Sequence, residues 1–371
     1  MKDSRTIHLV YPADDQRKSS PWTVGNNLKE KIGGQFNIEI HEWDANYLIT
    51  PGANDILIGH PHPKVNTVFR KSFAGPWSRR SVICPFTTNP QQMYFVEPYA
   101  RRADAFFAIC GPTWADKIDG SLYSHLRMKF VHLDMGIDPD DWPPLEREFS
   151  QEGQRRFAFI GSSLALKGTP FLEKISSHRP KSELSWIGAS SWVRSNAVRI
   201  PYLDLNSIEG RSALSQFDFI LSPGKSDANP TVLLEAMCLG LIPICTIESG
   251  YEDEKHFYLL NYGQIPEAMK LFDHLQNISP DELKMRREEN YLFIKNFTWN
   301  RFTITVLSRI MDALDSEVIS HATARPRGFV LKQFVLSLNS PYRLWRSSRL
   351  IKLLENRFYF YSARILKSRF K

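Results

Sequence analysis

Three charged residues between positions 167 and 235 have types and spacing suited to an anionic, hydroxyl-bearing ligand. Asp227 and Glu235 are separated by seven residues, and Glu235 stands in an otherwise apolar run, residues 231–239. A carboxylate on a helix that is apolar nearly all round is costly unless a donor bonds it. Lys167 precedes a predicted helix N-terminus, where a cation and helix amides together favour phosphate. The competing interpretation puts Glu235 on a narrow exposed face and Lys167 in a solvated loop.

The sequence around the two acids predicts a strand, a loop, a helix and a second strand. The apolar runs 219–222 and 241–246 are the two strands. Asn229 is predicted to cap the helix between them, and Pro230 to be its first residue. Gly240 lies where the helix should end in a left-handed residue. Both acids would therefore follow the carboxyl end of a strand.

A second strand–turn–helix pattern surrounds Lys167. Residues 156–160 are an apolar strand that ends at Gly161. Thr169 is the predicted N-cap of a helix that begins at Pro170. The lysine is thus expected between a strand end and a helix N-terminus.

The composition is that of a globular protein large enough for two domains. The 371 residues carry 47 Lys and Arg against 40 Asp and Glu, a net charge of +7. Neither an N-terminal leader nor a run of about 20 apolar residues is recognisable, so we expect a cytoplasmic protein, soluble or peripheral at the inner membrane face. Four cysteines without metal or CxxC spacing are predicted to be buried thiols in a reducing compartment: Cys84, Cys110, Cys238 and Cys245.

The first half of the chain alternates strands and helices, which predicts a parallel sheet. A helix is expected at 26–32, and the expected strands are 7–11, 36–42, 55–59, 81–85, 105–110 and 129–133. Ligands of such sheets gather beyond the carboxyl ends of the strands. The polar clusters at these ends, and hence the candidate acceptor-side residues, are Trp22, Thr23, Gly25, His60 and His62.

His60 and His62 allow three interpretations. A histidine in a loop is often only a satisfied surface residue. A metal would need a third ligand, which the sequence does not supply, so no metal site is predicted. Their position after a strand also fits a contact with the donor or the acceptor.

Several segments resemble retaining glycosyltransferases of the GT-B fold, the large group 1 or family 4-like class. Asp227 and residues 235–237 match the pattern of an acid, seven residues and Glu-Ala-Met; residues 161–168 resemble the family's Gly-Arg-x4-Lys-Gly segment. Residues 103–105, 131–138 and 297–302 match weaker segments in the correct order. The resemblance spans roughly residues 5 to 315.

The resemblance implies an α/β chain with two Rossmann-like parallel-sheet domains facing a cleft. Residues 1–148 would form the acceptor-side domain and residues 149–300 the nucleotide-sugar domain. Residues 301–321 would be a closing helix that returns to the first domain, and residues 322–371 a basic, amphipathic, helical tail.

The family also implies roles for individual residues. Glu235 would bind the ribose hydroxyls of the donor, Asp227 the transferred sugar and Lys167 the pyrophosphate. With His60, these are the candidate catalytic residues. The other expected donor-binding residues are Gly161, Ser162, Ile200, Tyr202, Asn229, Pro230, Thr231 and Val232.

The activity implied is the transfer of a sugar from a nucleotide-sugar to an acceptor hydroxyl with retention, without a metal, on a glycan or a lipid-linked glycan precursor. The sequence departs from the family at three points, the first of which is Asp227 in place of the family's usual glutamate. Ser162 replaces an arginine that contacts the pyrophosphate, with Lys225 as a candidate substitute, and residues 84–88 lack the family's strand-end histidine. A non-catalytic nucleotide-sugar-binding scaffold and a nucleotide-sugar epimerase therefore remain alternatives.

The tail differs from the rest of the chain. Residues 325–371 hold twelve Lys and Arg and one acid, Glu355, so their net charge is +11. Aromatic and aliphatic residues interleave with these cations, a composition that suits an anionic membrane surface. The alternatives are a helical extension packed on the protein and, less favoured, single-stranded nucleic acid.

Overall fold

Two parallel sheets of six strands each form the centre of the molecule. The computed structural model describes residues 4–13, 19–64, 66–142, 148–188, 195–205, 207–314, 322–326 and 328–338, without the side chains of 313–314 and 334–338. Most strands are continuous apolar runs because helices cover both faces of a parallel sheet. This is the two-domain, Rossmann-like α/β architecture that the sequence predicted.

The first sheet has the strand order β2-β1-β3-β4-β5-β6. Its strands are β1 Thr6–Tyr11, β2 Asn37–Glu42, β3 Ile56–Gly59, β4 Arg79–Pro85, β5 Ala105–Ile109 and β6 Phe130–Leu133. Its helices are α1 Ser20–Ile32, α2 Val68–Ser72, α3 Pro90–Met93, α4 Glu97–Ala100 and α5 Pro112–Asp116. All six strands were predicted to within two residues at either end. Neighbouring residues such as Leu9 and Val10 belong to different cores, one on each face.

Helix α1 begins six residues earlier than predicted. Pro21 occupies its first turn, where a missing amide hydrogen has no consequence. Trp22, Thr23 and Gly25 therefore lie inside the helix and not in a loop before it. Gly25 is buried, and a side chain there would collide with Tyr11 of β1. Glycine at this position therefore lets α1 pack closely on the sheet.

The second sheet has the order β12-β11-β10-β7-β8-β9, the doubly wound order of a dinucleotide-binding fold. Its strands are β7 Phe157–Ile160, β8 Leu184–Ile187, β9 Val198–Ile200, β10 Phe219–Ser222, β11 Ile242–Thr246 and β12 Tyr258–Leu260. Its helices are α6 Thr169–Ser177, α7 Ile208–Leu214, α8 Thr231–Cys238, α9 Ile265–Gln276 and α10 Pro280–Ile294. Strand β12 and helix α9 were not predicted from the sequence.

Helix α11, Trp299–Leu314, leaves the second sheet and packs on α1, β4 and β5 of the first. The Ile137 amide donates to the Phe297 carbonyl at 2.5 Å. Asp138 accepts from the Trp299 amide at 3.0 Å and pairs with Lys31 at 3.2 Å. These contacts tie the crossover between the two domains to the returning helix.

The start of the basic tail packs on the first domain. Arg325 forms a bidentate pair with Glu97, whose side chain is only 1 % exposed. Helix α12, Phe329–Leu338, buries Phe329 against the rings of Tyr123 and His125. The packing alternative therefore holds for this part of the tail, and residues 339–371 lie outside the described residues.

All four cysteines are buried and unbonded, as expected. In the part of the chain that the structure describes, no helix combines the length and hydropathy of a membrane span.

Candidate functional site

The loop between β10 and α8, residues 223–230, lies at the carboxyl ends of the second sheet and carries Asp227; we call it the donor loop. The Asp227 amide donates to the Glu248 carbonyl at 3.0 Å, and the Lys225 amide donates to the Leu166 carbonyl at 2.9 Å. The Thr246 hydroxyl donates to the carbonyl of Gly224. The loop is therefore held from both sides by its own domain.

Asn229 does not cap α8 as predicted. The residue before the helix is Pro230, and the Asn229 side chain lies between the domains instead. Its amide nitrogen donates to the Tyr251 hydroxyl at 3.1 Å, and its oxygen accepts from the Met135 amide at 3.3 Å. The helix geometry leaves the Thr231 and Val232 amides without intrahelical acceptors.

The other end of α8 agrees with the prediction. Gly240 has a φ of +83°, its amide donates to the Met237 carbonyl, and the Leu241 amide donates to the Ala236 carbonyl. This pair of bonds is a Schellman ending, which requires a left-handed residue after the helix.

Lys167 and Asp227, 60 residues apart in sequence, meet in an ion pair with Nζ–Oδ2 at 2.6 Å. Lys167 ends a 3-10 turn and is 39 % exposed, whereas Asp227 is 13 % exposed. Thr169 is the first residue of α6 and not its N-cap. The residue before α6 is Gly168, at φ +78°, and a side chain there would overlap the Pro223 carbonyl. This close approach sets Lys167 beside the donor loop.

Glu235 is partly exposed on α8, among four buried apolar neighbours, Leu233, Leu234, Ala236 and Met237. Burial raises the pKa of its carboxyl from 4.5 to about 7. No donor in the described part of the chain bonds this carboxylate to offset the desolvation. A ligand with hydroxyl groups could supply that donor.

Four other predicted donor residues, Gly161, Ser162, Ile200 and Tyr202, lie at the ends of β7 and β9. The Gly161 amide donates to the Ile187 carbonyl at 3.2 Å, and the Gly188 amide donates to the Ile200 carbonyl at 2.9 Å. Ser162 and Tyr202 are exposed, Tyr202 by 66 %. The Lys225 ammonium lies 5.9 Å from the centre of the Tyr262 ring. Ser162 and Tyr202 are therefore accessible to a ligand at this edge of the sheet.

His60 is buried at the end of β3, and its Nδ1 donates to the Pro61 carbonyl at 2.9 Å. Burial lowers its pKa to about 4, so the ring is neutral at physiological pH and Nε2 is the nitrogen with the lone pair. Its ring contacts are Trp43 and Phe95, and His62 also packs on Trp43 at 4.5 Å. The two histidines form an aromatic cluster of the first domain, separate from the contacts of the Lys167–Asp227 pair.

The donor loop also bonds directly to the first domain, through residues that the sequence analysis did not identify. Trp114 Nε1 donates to the Asp227 carbonyl at 2.8 Å, and the Gly111 amide donates to the Ala228 carbonyl at 2.7 Å. These donors follow β5, on the facing carboxyl edge of the first sheet. The cleft is therefore closed at this point.

A hydrogen-bonded trio completes the closure. Gln92 Nε2 donates to the Ser226 carbonyl at 2.8 Å, and the Ser226 hydroxyl donates to Thr87 at 3.2 Å. Thr87 follows β4, in the segment 84–88 that lacks the family's strand-end histidine. Here a hydroxyl that bridges the domains occupies that segment.

The structure resembles solved glycosyltransferases over most of its length. The catalytic domain of starch synthase IV from Arabidopsis thaliana, bound to ADP and acarbose, matches with a TM-score of 0.60 and 10% identity, covering 85% of this chain and 100% of that one. A sucrose-phosphate synthase from Thermosynechococcus elongatus matches with a TM-score of 0.58 and 10% identity (84% and 100%). WaaG, a glycosyltransferase involved in lipopolysaccharide biosynthesis, matches with a TM-score of 0.55 and 12% identity (82% and 99%).

Comparisons of the sequence with protein-family models and with curated proteins give no match. The likeness therefore rests on three-dimensional structure, and at this level of identity it identifies the fold. The predicted fold is confirmed: the chain has the two-domain GT-B fold of these glycosyltransferases.

Proposed function

We propose that this protein is a glycosyltransferase that moves a sugar from a nucleotide-sugar to an acceptor hydroxyl with retention and without a metal. The observation that carries the proposal is Glu235, a carboxyl desolvated to a pKa of about 7 to which no donor among the described residues is bonded. It lies on α8, the helix that directly follows the donor loop and its Lys167–Asp227 pair. The ribose of a nucleoside diphosphate has two vicinal hydroxyls that fit this acceptor. Its phosphates match the cation and the helix amides nearby.

The chemical step breaks the bond between the anomeric carbon and the phosphate oxygen, and negative charge develops on the departing diphosphate. An ammonium has three donors, and Asp227 accepts one from Lys167, which leaves two for phosphate oxygens. The amides of Thr231 and Val232 at the start of α8 add oriented dipoles. Stabilisation of the leaving group is thus assigned to Lys167 and these amides.

In the proposed mechanism, Asp227 orients the transferred sugar. Its backbone is bonded to Glu248 on one side and to Trp114 on the other, so its position depends on closure of the cleft. The acceptor hydroxyl attacks on the face from which the diphosphate leaves and transfers its proton to that phosphate. No protein base is needed for this route, in keeping with the lowered pKa of the buried His60, which makes its imidazole a weak base.

The acceptor class that we propose is a glycan or a lipid-linked glycan precursor, approached from the first domain beside Trp22, Thr23, His60 and His62. The net charge of +11 on residues 325–371 would hold the enzyme at an anionic membrane where such lipids lie. WaaG provides a precedent of the same fold in lipopolysaccharide synthesis.

The test is thermal unfolding of the purified protein with a panel of nucleotide-sugars, with and without EDTA. A donor present at 100 times its dissociation constant should stabilise the wild type by about 2.7 kcal/mol. We expect Glu235→Ala and Lys167→Ala to lose the shift, whereas His178→Ala, an exposed histidine of the same domain, should retain it.

Donor hydrolysis and product analysis by NMR then separate the alternatives. Transfer with the donor's anomeric configuration supports the proposal, and transfer that requires a divalent metal contradicts its metal-free part. A donor that binds without transfer or hydrolysis indicates a scaffold. Conversion of the donor sugar without an acceptor indicates an epimerase, and the absence of any shift removes the donor-site assignment.

A further inference from the structure

Two histidines and a glutamate meet on β1 and β2, outside the donor site. The strands pair in parallel with His8 opposite Glu39, and His41 follows Glu39 by two residues. Alternate residues of a strand share a face, so all three side chains project from the same face of the sheet. Strand β2 is the edge of that sheet.

The candidate ligand atoms are close to one another. His8 Nδ1 lies 2.9 Å from His41 Nε2 and 3.3 Å from Glu39 Oε2, and the last two atoms are 3.8 Å apart. Ligands of a tetrahedral zinc ion at bond lengths of about 2.0–2.1 Å are separated by about 3.3 Å. One of the three distances, 3.3 Å, equals that value, and the other two, 2.9 Å and 3.8 Å, lie below and above it.

The outer contacts of both rings orient these nitrogens. His8 Nε2 lies 3.1 Å from the Asp55 carboxylate, which only accepts, so the proton is on Nε2 and the lone pair on Nδ1. His41 Nδ1 lies 2.8 Å from the Tyr47 hydroxyl, which leaves Nε2 toward His8. A carboxylate behind a histidine is the usual outer support of a metal-ligating imidazole.

A proton shared between the two imidazoles is the competing occupant. The ring planes are nearly parallel, at 18°, and the 2.9 Å between His8 Nδ1 and His41 Nε2 is the length of a direct N–H···N hydrogen bond. To hold a metal, the nitrogens must separate by about 0.4 Å and the rings must tilt. Glu39 is 60 % exposed and can follow this adjustment freely, whereas the His41 side chain is 12 % exposed and moves with the edge strand β2.

We propose that His8 Nδ1, His41 Nε2 and the Glu39 carboxylate bind a divalent zinc-class ion that ties the edge strand β2 to β1. Two neutral imidazoles and one carboxylate are a donor set that zinc accepts, with water as the fourth ligand. Asp55 and Tyr47 are the positioning residues of the site. The proposal is independent of the donor site, since β1 and β2 belong to the first sheet and none of the three ligand residues is assigned to sugar transfer.

The test uses the full-length protein, dialysed against a chelator and then titrated with ZnCl2 by calorimetry and with CoCl2 by visible absorption. We expect one equivalent of Zn²⁺ to bind, a four-coordinate Co²⁺ spectrum, and a rise in Tm with Zn²⁺. His41→Gln and Glu39→Gln should weaken binding at least about tenfold, and Asp55→Asn should weaken it about 10–100-fold.

His178→Gln is the matched control, because it removes an exposed histidine of the other domain and should leave the titration unchanged. His41 and Glu39 are on an edge strand, so the variants are expected to fold, and far-ultraviolet circular dichroism checks this. The proposal is overturned if the wild type binds no Zn²⁺, or if folded His41→Gln and Glu39→Gln bind it as tightly as wild type. In either outcome a shared proton, and not a metal ion, lies between the two imidazoles.

Discussion

Replacement of Glu235 by glutamine tests the central electrostatic feature of the donor site. The carboxyl has a pKa of 4.5 in an ordinary setting and about 7 in the folded protein. Folding therefore favours its protonated form, and this contribution to stability is fully present below pH 4.5 and is lost as the pH rises to 7. The difference between the two pKa values corresponds to at most about 3 kcal/mol.

The expected result is a pH-dependent difference between wild type and Glu235→Gln. Because glutamine carries no charge to desolvate, the variant should gain stability relative to wild type between pH 4.5 and 7, with a constant advantage above pH 7. Urea unfolding at pH 5 and pH 8 measures this change. Glu288→Gln, on an exposed position of α10, is the control and should follow the wild-type profile.

Donor binding should depend on the same proton. Hydroxyls that donate to the carboxylate favour its ionised form and lower its pKa, so binding releases a proton below pH 7. The affinity for a nucleoside diphosphate should then rise by up to about tenfold per pH unit below pH 7 and level off above it. Glu235→Gln should lose this slope. An equal slope in the variant, or equal stability profiles in urea, would refute the reasoning about Glu235.

Three further predictions concern the contacts around the site. Gly168→Ala should lose more than about 3 kcal/mol of unfolding free energy because its methyl group overlaps the Pro223 carbonyl. The control Gly153→Ala, at φ +76° with open space around it, should lose only about 1 kcal/mol. Equal losses of the two variants in chemical denaturation would contradict the overlap. Trp114→Phe removes the bond to the Asp227 carbonyl; it should raise the donor KM while Tm stays close to the wild-type value. An unchanged KM would show that this hydrogen bond does not position the donor loop. Arg325→Met leaves the Glu97 carboxylate buried without its bidentate partner and should lower the free energy of unfolding in urea by about 3 kcal/mol. Lys332→Met, at an exposed position, should leave that free energy nearly unchanged. An unchanged value for Arg325→Met would show that the tail is not anchored there.

Local patterns were sufficient where the structure is decided locally. Strand β10, helix α8 and the Schellman ending at Gly240 follow from apolar runs and the conformational freedom of glycine, and all three were predicted. The predicted caps at Asn229 and Thr169 were wrong. Asn229 finds partners in another part of the fold, and a close backbone contact at Gly168 displaces the start of α6.

The long-range contacts were not predictable from one sequence. Nothing in the spacing of Trp114 or Gln92 indicates that they bond to the donor loop, since their partners lie more than 110 residues away. The same is true of His8 and His41, which come from strands separated by a helix. A signal was present in the Glu39-x-His41 spacing, which places both side chains on one face of a strand.

The sequence by itself determined the alternation of strands and helices, the two-sheet fold class and the acids that stand out from an apolar helix, because these depend on periodicity and on residues close in the chain. Only the tertiary structure decided that Lys167 pairs with Asp227, that no donor in the described ranges of the chain reaches Glu235, and that the donor loop is clamped to the first domain. The physical reason is that desolvation and hydrogen bonding depend on which groups folding brings within about 3 Å of one another. Chain spacing alone does not specify those neighbours.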